Sequence, residues 1–110
     1  MKFDNLIEIL TENSIVEEVL IKQVRNLHRR VRMAGNKVYR LHLSNDTLPK
    51  NEYRQKLNKF FTEFVKQRNI YHSFLQVNKN EIMNHPKLLE IIKDFRAANP
   101  IVFENDPLKN

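Results

Sequence analysis

A chain of 110 residues, 41% hydrophobic and 29% charged, has the composition of one globular domain rather than a disordered segment. Its longest apolar runs fall far short of the ~20 residues that a membrane-crossing helix needs, and the absence of cysteine excludes disulfides, thiolate nucleophiles and Cys-type zinc sites together. Nineteen basic against thirteen acidic residues give a net charge of +6 and a pI near 9.7, a balance that favours nucleic acid, an anionic membrane surface or an acidic protein as partner.

A single glycine, Gly35, leaves little material for the tight turns of a β fold and points to helices. Leu6, Ile7 and Leu10 have the spacing of a short amphipathic helix over residues 3–11, which Asn13 and Ser14 interrupt. Ser14 followed by Glu17 reads as a capping box opening a second helix. That helix is expected over residues 15 to about 33, with Val16, Leu20, Val24, Leu27 and Val31 on one face and Gly35 as its stop. Glu17 and Glu18 at its start and Arg29, Arg30 and Arg32 at its end suit the helix dipole.

Residues 37–43 are ambiguous, because Tyr39, Leu41 and Leu43 alternate as in a strand while Val38 and Leu41 keep helical spacing; with no second strand to pair with, the segment is expected as helix or a short connecting turn. Residues 44–49 form the clearest loop, closed by a proline suited to a first helical turn. A long helix then runs from 49 to about 77, marked by Tyr53, Leu57, Phe60, Phe61, Phe64, Tyr71, Phe74 and Leu75 as an inward aromatic stripe. Asn78, Lys79 and Asn80 break it. A last helix begins near Pro86, buries Leu88, Leu89, Ile92 and Phe95, and ends at Pro100. The expected fold is all-α: a small antiparallel bundle of three to four helices over residues 1–100, followed by an extended C-terminal tail over 101–110.

The residues do not assemble a catalytic apparatus. His28, His42, His72 and His85 form neither a His-x-x-x-His nor a Glu-x-x-His pair, so each reads as a solvated or structural histidine. One glycine cannot build a phosphate-binding loop. The chain is therefore expected to act by binding, without a cofactor or metal.

Two surfaces stand out for that role. At 100° per residue, Lys22, Arg25, Arg29 and Arg32 form a stripe beside the apolar arc, with His28 at its edge. Each exposed ion pair is worth only ~0.2–1 kcal/mol, but several together steer association and select an acidic partner. Such a stripe suits an acidic protein surface or the phosphates of nucleic acid. The second surface is the tail, where Ile101, Val102 and Phe103 must pack somewhere, either on this domain's own core or on a neighbouring subunit.

The run Val24-Arg25-Asn26-Leu27-His28-Arg29 resembles the Leu-Tyr-Arg signature of the LYR-motif proteins, with His28 in the tyrosine position. Val38-Tyr39-Arg40-Leu41-His42 is similar to that family's aromatic-arginine element. Residues 64–71, after Leu48-Pro49, look like its third helix, closest to the ATP synthase assembly factor branch. The resemblance covers roughly residues 20–76 and implies a mitochondrial matrix accessory subunit or assembly factor. Arg29 is the residue carried over from the motif, with Arg25 and Arg32 as its neighbours, and acyl carrier protein is the implied acidic partner. Without that resemblance, a cytoplasmic location is the default.

The leading expectation is a helical adaptor of a larger protein assembly, meeting its partner through Lys22, Arg25, Arg29, Arg32, Arg40, Ile101, Val102 and Phe103. The alternative is a small nucleic-acid-binding protein that contacts phosphates through the same helix.

Overall fold

Two sets of residues spaced alternately by four and three positions set the architecture. Leu20, Val24, Leu27, Val31, Ala34, Val38 and Leu41 form one; Tyr53, Leu57, Phe60, Phe64, Gln67, Tyr71 and Phe74 form the other. A repeat of 3.5 residues keeps one seam of a helix turned toward its neighbour. In the computed structural model, which describes the backbone of residues 3–99 and side chains from residue 15, the two seams face each other in a helical hairpin. Ile101, Val102 and Phe103 lie outside the described residues.

The first arm, α1, is one continuous helix over Phe3–Leu43, and the second, α2, spans Lys50–Val77. A short α3, Lys79–Met83, turns the chain into α4, Pro86–Ala98. The described residues thus form an all-α bundle of four helices and no strand, with extents of 71 × 25 × 20 Å. No helix among them is long and apolar enough to cross a membrane.

Three sequence-based boundaries are corrected. Helix α1 does not break at Asn13 and Ser14, so no capping box starts there; the Glu17 carboxylate instead lies 3.5 Å from His85 Nδ1 at the start of α4. Nor does α1 stop at Gly35, whose φ is negative. Glycine inside a helix costs about 1 kcal/mol relative to alanine. Burial of Val31, Ala34 and Leu41 offsets that, since each loses nearly all its exposure. The same burial resolves residues 37–43 as helix, with Leu41 inward and Tyr39 and Leu43 outward. Finally, the polar run at Asn78–Asn80 hides α3, which forms because Ile82 needs burial and is fully buried.

The hairpin turn is held locally. Ser44 Oγ donates to the Arg40 carbonyl at 3.1 Å, and Thr47 Oγ1 donates to the Ser44 carbonyl at 2.8 Å within a 3-10 turn over Asn45–Thr47. Pro49 (φ −57°, ψ 143°) stands just before the first helical residue of α2 rather than inside it. At the other end, the Asn78 side-chain amide donates to the Phe74 carbonyl at 2.9 Å and satisfies one of the last acceptors of α2.

The contiguous core cluster of the described residues occupies one half of the hairpin, with Ala34 and Leu41 buried toward the turn. Helix α4 packs where α1 carries Leu20, Val24, Leu27 and Val31, and there Tyr71, Leu75, Ile82, Leu88 and Ile92 are fully buried. Toward the turn, no described element covers the hairpin. The aromatic stripe of α2 divides accordingly: Tyr71 and Leu75 are buried, Tyr53, Leu57, Phe60, Phe64 and Phe74 are half-buried, and Phe61 is 51% exposed. Val16, expected on the inner face of α1, is 41% exposed.

Candidate interaction site on the basic face of α1

The site begins with the helix that carries it. Since α1 runs unbroken from Phe3 to Leu43, Lys22, Arg25, Arg29, Arg32 and Arg40 share one rigid rod. They span about 27 Å at 1.5 Å per residue. All five are exposed. The stripe does not adjoin the α1–α2 seam, which corrects the sequence-based placement of it beside the apolar arc. At 100° per residue its centre is about 160° round the helix from Leu20, Val24, Leu27 and Val31. What adjoins it is a second buried line, formed by His28 and Phe95 of α4.

Among the described residues none of the five cations forms an ion pair with a carboxylate. The one side-chain bond in the stripe is from Arg29 Nη2 to Asn26 Oδ1, at 3.0 Å. Helix α2 forms one ion pair among the described residues, the exposed pair of Lys56 with Glu52 at 3.1 Å. On α1 the positive side chains are left to solvent or to a partner.

Behind the stripe sits an ordered aromatic cluster. The His28 ring stacks on Phe95 with centroids 3.8 Å apart and planes 4° from parallel. Its Nε2 is 2.6 Å from the Tyr71 hydroxyl, in a bond whose direction follows the imidazole tautomer. Tyr71 meets Phe95 edge-on at 5.8 Å. One histidine thus joins α1 to both α2 and α4. Burial, with a smaller contribution from the Arg32 guanidinium, lowers the His28 pKa from 6.5 to about 4. His28 is therefore neutral at physiological pH and fixes the helices beneath the arginines rather than adding to their charge. The sequence placed His28 at the stripe's edge; its role as the joint comes from Tyr71 and Phe95, which lie far from it in the chain.

A shallow cleft between α1 and α4 has Lys22, Arg25, Asn26, Arg29 and Arg32 on its rim and His28 and Phe95 at its floor. A larger apolar groove of about 1030 Å³ opens between the uncovered halves of α1 and α2. Tyr39, 62% exposed, and Phe61 stand along it, with Arg54 and His42 toward the hairpin turn. Gly35 opens the groove at its inner end, where an added Cβ would meet the Phe64 ring at 3.4 Å. The seam pattern runs through this groove in the sequence without marking it, and only the length of α4 shows that no other described helix covers it.

Among the described residues no group of three or more His, Asp or Glu side chains is placed to hold a metal ion. The chemistry the surface offers is charge recognition along α1 and apolar burial in the groove. Comparisons with family models, with curated proteins and with solved structures find no match to the chain.

Proposed function

We propose that this chain is a non-catalytic helical accessory subunit or assembly factor of a larger protein complex, and that it grips an acidic partner with the basic face of α1. The observation that supports this best is the row of five exposed cations on one continuous helix, none paired with a carboxylate among the described residues. Leaving several like charges side by side is unfavourable in the isolated chain and becomes favourable when a partner supplies the opposite sign. The buried His28–Tyr71–Phe95 cluster supports the same reading, because a pre-ordered helix loses little freedom on docking. The resemblance to LYR-motif proteins names acyl carrier protein as one such partner, and the mitochondrial matrix as the place to look.

One observation favours the alternative of nucleic-acid binding. Tyr39 and Phe61 are more than half exposed beside Arg54, an arrangement on which bases stack. That reading predicts affinity falling with the logarithm of salt concentration by about 0.7 per phosphate contact on a single strand and about 0.9 on duplex DNA.

A photocrosslinking amino acid placed at Lys22 or Arg29, compared with one at Gln55 on the outer face of α2, distinguishes these readings in native extract. The adaptor reading expects discrete protein adducts from positions 22 and 29 and none from 55. Equal adducts from all three positions would contradict it, and adducts that are nucleic acid would transfer the site to the alternative.

A further inference from the structure

We propose that the apolar groove between the uncovered halves of α1 and α2 is the seat of the chain's own C-terminal segment, Ile101-Val102-Phe103. Occupancy of the groove does not depend on which partner the basic face of α1 meets, but a seated segment covers Tyr39 and Phe61 and so removes the stacking surface of the nucleic-acid alternative.

Helix α4 ends at the groove. Asn99 is itself a lining residue, as is Ala98 before it, and both stand at the inner end with Val31 and Gly35. Asn99 has left the helix (φ −138°, ψ 65°) while its side-chain amide donates to the Phe95 carbonyl at 3.1 Å, which fixes the direction of exit. Pro100 comes next, and a proline there both blocks another helical turn and holds its predecessor out of the helical region. The chain is thus delivered to the mouth of the groove in a non-helical conformation.

Length and pattern then agree. Along α1 the groove extends from Val31 to His42, about 16 Å at 1.5 Å per residue. An extended chain covers that distance in about five residues at ~3.3 Å each. Five residues beyond Asn99 are Pro100 to Glu104, so the three bulky apolar residues fall over Phe64, Leu57, Phe61 and Tyr39. The charges match as well. Glu104 and Asp106 come after the apolar triplet, and Arg54 is the groove cation at the turn end. In an extended segment alternate residues face one way, so Ile101 and Phe103 share a side and Val102 takes the other. The seam residues that α4 is too short to reach are covered by the segment that continues from it.

The chain has no cysteine, so an introduced pair is the only pair. In the full chain, Tyr39→Cys with Glu104→Cys is treated with a short bis-maleimide, alongside Gln55→Cys with Glu104→Cys as the outer-face control. The proposal expects an intramolecular bridge for the first pair, at a yield independent of protein concentration, and several-fold less for the control. A bridge found only between two chains, or equal yields from both pairs, would overturn it. A second measurement uses the solvatochromic dye Nile red with Ile101→Ser and Phe103→Ser combined, and with Val102→Ser alone. Dye fluorescence is expected to rise several-fold in the double variant and little in Val102→Ser. A wild-type protein that binds the dye as strongly as the double variant would show the groove open and overturn the assignment.

Discussion

Replacing His28 with phenylalanine tests the joint beneath the basic face. In the wild type the folded imidazole titrates near 4 and the ordinary value is 6.5. Between those values the unfolded chain binds a proton that the folded chain refuses. The contribution is therefore complete above the higher value, is lost as pH falls toward the lower one, and changes no further below it. At 1.36 kcal/mol per tenfold change in proton affinity this amounts to roughly 3 kcal/mol at full strength, and solvent reaching the ring through the cleft reduces it to about 2 kcal/mol. His28→Phe keeps a ring to stack on Phe95 but cannot titrate. Urea unfolding at about pH 7.5 and about pH 4.5 should show wild-type stability falling about 2 kcal/mol further than that of the variant. Carboxylates and the His85–Glu17 contact are common to both proteins and cancel in the difference. An NMR titration of the wild-type His28 ring gives the midpoint directly. Parallel stability curves, with His28 titrating near 6.5, would refute the reasoning.

The structure makes further predictions. Gly35→Ala should stabilise the protein by about 0.5–1 kcal/mol in urea unfolding, because the residue is helical and the new methyl meets Phe64 at ordinary contact distance; destabilisation would mean that the Phe64 ring cannot accept it. Leu75→Ala and Ile92→Ala remove fully buried side chains and should each cost about 2–5 kcal/mol by the same assay. Arg32→Glu replaces a cation beside His28 with an anion and should raise the histidine midpoint in the NMR titration. Arg25→Glu, Arg29→Glu and Arg32→Glu combined should leave the far-ultraviolet circular dichroism spectrum unchanged, since all three side chains are exposed.

Much of the helical content was legible in the sequence because the apolar periodicity of α2 and α4 is strong and prolines mark their starts. What misled was local punctuation. Ser14 and Gly35 look like a start and a stop, yet each lies within α1, because a stop signal worth about 1 kcal/mol yields to the burial of several seam residues. Lys22, Arg25, Arg29 and Arg32 could be read directly as a stripe, since they lie on one expected helix, whereas Arg40 joins them only because α1 passes Gly35. His28 could not be read as the joint, because its partners Tyr71 and Phe95 come from α2 and α4 and only the packing brings them together. The groove was missed for a related reason. The aromatic stripe of α2 has the spacing of a core face along its whole length, and spacing does not tell how far the covering helix reaches.

The most direct test of the proposed function is a nuclease-treated pull-down from native extract, comparing wild type with the combined Arg25→Glu, Arg29→Glu and Arg32→Glu variant by mass spectrometry. The account predicts a defined set of acidic proteins retained by wild type after nuclease treatment and lost from the variant. Recovery of the same proteins by both would contradict the assignment of the basic face, and wild-type partners that vanish with nuclease alone would show that the stripe reads phosphates.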